Sequence, residues 1–224
     1  MSGESIKAVA FDIDGTMYPN MNLYSRIAPY FLKNLNFFIQ YNKVRNILHK
    51  TAPLPDFFEY QGRLLGEYMQ IPVLEARRLI DEKVYHGLCR YFDVVKPYPH
   101  VRETFKALKE AGLKVAILSD FPPHQKGNIF GCAEYCDVIM GSEECGALKP
   151  SAYTFGTLAG RLGLKPEEIL YVGNSIPTDI RGAKAAGMHA AYILSGWRRI
   201  FRKSAKDADF SFLNYRQLQK IVLK

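Results

Sequence analysis

Two aspartates, Asp12 and Asp14, stand at the end of the apolar run Ala8-Val9-Ala10-Phe11 with one residue between them. On extended backbone, residues two apart point the same way, so this spacing aims both carboxylates into one small volume at the C-terminal edge of a buried strand. Desolvated like charges either raise a pKa or recruit a cation, and a hard divalent ion with oxygen ligands is the usual recruit. Gly15 then permits a turn that most residues resist, and Thr16 offers a hydroxyl that can tie the turn to a carboxylate. The same residues also suit an ordinary strand-to-turn junction, since Asp and Gly are common in turns.

Other apolar runs end in groups of chemical use. Leu113-Lys114-Val115-Ala116-Ile117-Leu118 stops at Ser119-Asp120, and Ile169-Leu170-Tyr171-Val172 leads to Asn174 and Asp179. Lys149 lies in a loop before Pro150. Taken singly, Ser119 merely ends a strand and Lys149 is a solvated charge, as most lysines are.

The elements that must position these residues follow from hydrophobic period. Beyond residue 97, short apolar strands at 113–118, 137–140, 169–172, 190–193 and 210–212 alternate with helices opening near His100, spanning 151–162, ending at Gly187, and closing the chain from Tyr215 to Val222. With the first strand they specify an α/β fold, a parallel Rossmann-like sheet covered on both faces. Ligands of such sheets bind outside the carboxyl ends of the strands. Asp12, Asp14, Ser119, Asn174 and Asp179 are therefore expected to converge there, with Lys149 nearby.

Residues 19–96 differ in character. Helical spacing runs through Leu23 to His49, resumes at 56–69 with Asp56 as a cap, and returns from Pro72 through Val84. This segment is predicted to be a small all-helical domain inserted after the first strand, leaving residues 1–18 and 97–224 as a discontinuous core. Its many Phe and Tyr rings, at helical spacing, read mainly as its own core, with a few free to face a cleft.

In order and local context, Phe11-Asp12-Ile13-Asp14-Gly15-Thr16, Ile117-Leu118-Ser119-Asp120, Leu148-Lys149-Pro150, and Gly173-Asn174-Ser175 with Asp179 resemble the haloacid dehalogenase superfamily of hydrolases. The resemblance covers nearly the whole chain, including the helical insert, because many members carry a cap domain between the first and second motifs. It implies that Asp12 is a nucleophile forming an aspartyl-phosphate and that Asp14 is the acid/base. Ser119 would donate to a phosphoryl oxygen, and Lys149 would hold developing negative charge and steady the nucleophile Asp12, with Asp120, Gly15 and Thr16 completing the phosphate site. Mg2+ would be ligated by Asp12, the main-chain carbonyl of Asp14, Asn174 and Asp179. Asn174 departs from the pattern, which usually has Asp there; an amide oxygen still ligates magnesium but brings one less charge.

The second aspartate favours a phosphatase over a metal-free dehalogenase, and the resemblance implies a small phosphorylated metabolite as substrate. Three alternatives stand beside this reading. A phosphosugar mutase would use the same aspartates, and a phosphonate hydrolase would need a cap lysine such as Lys33, Lys43, Lys50 or Lys83. A catalytically impaired phospholigand-binding protein would account for Asn174.

Composition sets outer bounds. Hydrophobic residues make up 48% of the 224, enough for a real core. A formal charge of +8 suits a protein handling anions, but the basic residues are scattered. The densest run, Trp197-Arg198-Arg199-Ile200-Phe201-Arg202-Lys203, reads as a solvated face, and nucleic acid is set aside as a partner. Four cysteines without metal-site spacing are expected as reduced thiols. The polar start Met1-Ser2-Gly3-Glu4-Ser5 does not resemble a signal peptide, and no stretch reaches the length of a membrane span. The expectation is a cytoplasmic enzyme with no membrane partner; no pattern sets an oligomeric state.

Overall fold

The computed structural model describes residues 6–224. Residues 1–5, read above as a polar start, lie outside the described residues. Among the described residues six strands form one parallel sheet: β1 (Ala8–Phe11), β2 (Lys114–Ser119), β3 (Val138–Gly141), β4 (Ile169–Gly173), β5 (His189–Ile193) and β6 (Phe210–Phe212), in the order 3-2-1-4-5-6. That order reverses direction at β1, whose register matches Phe11 to Ile117 on one side and to Val172 on the other. The reversal opens a crevice at the carboxyl ends of β1 and β4, the usual ligand position in doubly wound sheets.

Both faces of the sheet are covered, and alternation along β1 divides its side chains between them. Val9 and Phe11 join the cluster formed with α6 (Val101–Glu110) and α10 (Tyr215–Val222), while Ala8 and Ala10 face the cluster holding α7 (Ala152–Leu162) and α8 (Arg181–Ala185). On the first face Phe11 packs on Phe105 with ring centroids 4.4 Å apart. On the second the small Ala side chains make room for Phe155, which meets Tyr171 edge-on at 5.0 Å.

Between β1 and α6 lies the helical insert. It comprises α1 (Asn20–Lys33), α2 (Leu35–Leu48), α3 (Phe57–Met69), α4 (Val73–Ile80), which runs on as a wider turn to His86, and α5 (Cys89–Phe92). The periodicity over 23–49 predicts one helix, whereas the chain breaks at Asn34. There the side-chain amide donates to the Tyr30 carbonyl at 3.0 Å and the side-chain oxygen accepts from Lys83, so local hydrogen bonding replaces helical continuation. Asp56 caps α3 as its sequence position suggests, accepting from Glu59 N at 2.8 Å. Phe37, Phe38, Tyr41, Phe57 and Leu65 form a separate core inside the insert.

The insert is docked on the sheet's carboxyl edge by polar contacts as well as apolar ones. Arg45 of α2 forms a buried ion pair with Glu143, which also accepts from the Tyr85 hydroxyl at 2.8 Å. Gln125 donates to the carbonyls of Val84 and Tyr85, each at 2.9 Å, and Leu54 N donates to Gly146 O at 2.9 Å.

Residues 197–203, read as a solvated loop or helix face, hold a short helix, α9 (Gly196–Ile200), with Trp197, Ile200 and Phe201 exposed. All four cysteines are free thiols. No helix among the described residues is long and apolar enough to cross a membrane.

Phe105, fully buried against Phe11, tests the sheet's first face. Phe105→Ala is expected to cost roughly 3–5 kcal/mol in urea unfolding, and Trp197→Ala, at an exposed site, to stay within about 0.5 kcal/mol.

Candidate active site

Residues far apart in sequence meet at the carboxyl ends of β1, β2 and β4. Their hub is Lys149. Its ammonium donates to Asp12 Oδ1 at 2.8 Å, to Asp179 Oδ1 at 2.7 Å and to the Tyr171 hydroxyl at 3.2 Å. All four side chains are buried. Burial works to lower the Lys149 ammonium, but Asp12 and Asp179 outweigh it and hold the ammonium well above the ordinary lysine range.

Asp12 shows the opposite balance. Burial pushes its carboxyl up to about 7; Lys149 opposes the rise, and the neighbouring charges of Asp179 and Asp14 add to it. Its second oxygen, Oδ2, accepts from the Thr16 hydroxyl at 2.8 Å. The turn that brings Thr16 back is fixed by Gly15 at φ 85°; a Cβ there would fall 2.2 Å from Asn174 Nδ2. Tyr215 of α10 holds the same loop by donating to Thr16 O at 2.9 Å.

Asp179 is committed within the protein. One oxygen takes Lys149, and the other accepts from the backbone N–H of Asn174 at 3.1 Å and of Ser175 at 2.9 Å. Gly173 makes this possible, because a Cβ at that position would lie 2.3 Å from the Asp179 Cβ. As arranged, Asp179 orients Lys149 and the loop after β4. Asn174 turns its Oδ1 to within 3.3 Å of Thr16 Oγ1, on the side where Asp12 Oδ2 lies.

Asp14 projects the other way. It accepts from the Tyr18 hydroxyl and pairs with Lys126 Nζ at 3.0 Å. Burial, helped by Asp14, pushes the Tyr18 phenol far up, so it stays a donor. Lys126 is buried, 3.4 Å from Ser119 Oγ and 5.1 Å from the Phe92 ring centroid. Ser119 and Lys126 therefore sit together beside Asp14. Asp120 accepts from the Ser142 hydroxyl at 2.8 Å and from Lys149 N at 3.1 Å. Burial works to raise its carboxyl, but Lys149, His49 and Arg45 together hold it below the usual carboxylate range.

Sequence reading brings Asp12, Asp14, Gly15, Thr16, Ser119, Asp120, Lys149, Asn174 and Asp179 to this edge, and all nine lie there. It missed Lys126, Tyr18 and Tyr171. Lys126 follows a Pro-Pro turn seven positions after Ser119 and carries no periodic signal. Tyr171 reads only as part of an apolar strand, and Tyr18 only as part of the stretch where the sequence changes character.

Among the described residues, no three His, Cys, Asp or Glu side chains gather as a ready-made metal cage. Two side-chain oxygens nonetheless lie together there, Asp12 Oδ2 and Asn174 Oδ1, at 2.8 and 3.3 Å from Thr16 Oγ1. One carboxylate with neutral oxygens suits magnesium, which keeps several waters and takes oxygens from substrate phosphate.

Above Asp14 and Asp120 a cavity of about 630 Å³ opens between sheet edge and insert, walled by side chains of α1, α2 and α5. Lys33, Lys43, Lys50 and Lys83, the lysines a phosphonate hydrolase would draw on, are not among its lining residues.

Comparison with known proteins agrees with this geometry. A profile of the haloacid dehalogenase-like hydrolases matches residues 6–187. The chain is 29% identical over 97% of its length to the glyceraldehyde 3-phosphate phosphatase of Methanocaldococcus jannaschii, covering 96% of that protein. To the enzyme of the same name from Methanopyrus kandleri it is 32% identical, over 97% of each chain. Among solved structures, a haloacid dehalogenase (HAD) phosphatase from Thermococcus onnurineus superimposes with a TM-score of 0.65 at 26% identity, over 97% of this chain and 98% of the other. The chain belongs to the haloacid dehalogenase-like hydrolases, and it is an enzyme of their phosphatase type.

Lys149→Met leaves two buried carboxylates without their shared cation, and breaking such a pair is expected to cost roughly 3–5 kcal/mol in urea unfolding at neutral pH. Adding Asp179→Asn should recover part of that loss, because one of the stranded charges is removed with it. A double variant no more stable than the single one would show that the two side chains are not coupled.

Proposed function

We propose that this protein is a magnesium-dependent phosphatase that hydrolyses a small phosphorylated metabolite through an aspartyl-phosphate on Asp12. The observation that carries the reading is the separation of the two aspartates by their partners. Asp12 is held among Lys149, Thr16 and Asp179, whereas Asp14 is turned toward the cavity by Tyr18 and Lys126. One carboxylate is placed to attack phosphorus, the other to handle a proton on the substrate side.

In the first step an Asp12 oxygen forms a bond to phosphorus while the ester P–O bond breaks, and Asp14, as the acid, gives the leaving oxygen its proton. In the second, Asp14 as the base takes a proton from water, the water oxygen bonds to phosphorus, and Asp12 leaves as a carboxylate. Ser119 donates to a phosphoryl oxygen, and Lys149 and Lys126 supply positive charge on either side of it. Preorganised donors of this kind are often the largest single catalytic contribution. The backbone of the Gly15–Thr16 turn and the neighbouring Asp120, which braces the Lys149 loop, complete the phosphate site.

Asp12, the Asp14 carbonyl and Asn174 are the residues assigned to Mg2+, with Asp179 acting on the same site through Asn174 N and Lys149. When bound, the cation neutralises the phosphate and favours the ionised form of Asp12, whose carboxyl burial pushes up to about 7. Residues 19–96 serve as the cap that closes over the leaving group, and residues 6–18 with 97–224 as the core. The reduced thiols and the small-molecule substrate fit a cytoplasmic enzyme.

Phosphate release from p-nitrophenyl phosphate is expected to require magnesium and to vanish in Asp12→Asn. Asp14→Asn should lower kcat by about 10²–10⁴, the usual range for losing a general acid/base. Asn174→Asp, by adding a charge beside Asp12, should lower the Kd for magnesium in calorimetry. No turnover by folded protein at high magnesium would instead favour a phospholigand-binding role. Phosphoryl transfer back to substrate in place of release would favour a mutase.

A further inference from the structure

The cavity above Asp14 has a composition at odds with a small, polar leaving group. Its walls are mainly apolar and aromatic, including Tyr24, Phe31, Phe38, Val84 and Phe92. Two of the rings stack on each other, Phe31 on Phe38, with centroids 3.9 Å apart, so the wall is preformed. At the mouth, Tyr24, Leu35 and Ile39 stay 52%, 52% and 47% exposed, apolar surface that a bound group would cover. At about 630 Å³ the space falls within the range that takes a ligand of drug size, and a two- or three-carbon alcohol would leave most of it wet.

Charge points the same way. The basic side chains in the lining are Arg45 and His49, and both are engaged in holding insert to core. Arg45 is paired with buried Glu143 and lies 4.6 Å from the Phe121 ring centroid, and His49 Nδ1 lies 2.6 Å from Lys149 O. Asp14 and Asp120 are the acidic groups in the lining, so a second anionic group on the substrate would meet two carboxylates and no free cation there. Neutral polar side chains in the lining include Asn20, Asn42 and Tyr41, whose hydroxyl is buried beside Arg45, and these can meet an uncharged polar group of the substrate.

We propose that the substrate is the phosphate monoester of an uncharged, bulky, largely apolar or aromatic alcohol, whose body fills the cavity beneath α1 and α2 while its phosphate meets Asp12. The inference rests on the phosphatase reading above and narrows it to a class unlike the phosphorylated triose that names the archaeal relatives.

The test compares kcat/KM for 1-naphthyl phosphate with those for acetyl phosphate, glyceraldehyde 3-phosphate and phosphoglycolate, in magnesium. The expected result is at least tenfold preference for the naphthyl ester, and a fall in that preference in Ile39→Asp, which changes an exposed residue at the mouth. Equal or greater kcat/KM for the triose or glycolate esters overturns the substrate class while leaving the phosphatase intact. If no ester is turned over, the reaction assignment fails separately. Calorimetry with folded Asp12→Asn then decides the pocket. A Kd for 1-naphthyl phosphate at least tenfold below that for phosphoglycolate upholds it, and equal or reversed affinities overturn it.

Discussion

The buried ammonium of Lys149 holds the nucleophile's end of this molecule together. Lys149 sits between Asp12 and Asp179, with Tyr171 as a third partner, and none of these side chains has water to fall back on. Buried ions are costly unless paired and hydrogen-bonded, so the arrangement persists only because each group meets several others. Lys149 answers two carboxylates, Asp179 returns its second oxygen to the loop after β4, and Thr16 takes the second oxygen of Asp12. The local excess of negative charge that remains is what a bound cation beside Asp12 would offset.

The same loop that carries Lys149 also receives the insert. Glu143, Gly146 and the Lys149 carbonyl contact Arg45, Leu54 and His49 respectively, so the cap rests on the segment that positions the hub. Burial raises the Glu143 carboxyl and Arg45 opposes it. A shift of the cap away from this seat would leave both partners in search of solvent, which makes docking and the integrity of the site mutually dependent. Lys126 extends the coupling. It is buried against Phe92 of the insert while its ammonium reaches Asp14 and Ser119 of the core.

The sheet was readable in the sequence because its strands are short apolar runs with polar ends, and the strand ends carry the chemistry. Asp12, Ser119 and Asn174 could be placed from that rule alone, and the pairing of Asp12 with Lys149 followed from family resemblance. Less visible were contacts that depend on three-dimensional approach. The roles of Gly173 against Asp179 and of Tyr171 under Lys149 arise from sheet geometry, and both residues look like plain strand positions in the chain. Lys126 lay in an irregular loop where no period applies. The break at Asn34 escaped notice because apolar spacing continues across it, while the side-chain hydrogen bonds that end α1 leave no hydrophobic trace. The insert's rings divide between its own core and the cavity wall, a partition set by how α1 and α2 sit over the sheet.

The proposed mechanism makes Asp12 the nucleophile that attacks phosphorus, poised by Lys149 and a cation. It is tested most directly by a crystal structure of the protein grown with magnesium, beryllium and fluoride, which together mimic an acyl-phosphate. The account requires beryllofluoride bonded to an Asp12 oxygen, with Ser119 and Lys149 contacting fluorine and the metal beside Asn174. Beryllofluoride on another residue, or an unmodified Asp12 in a site that has bound magnesium, would contradict it.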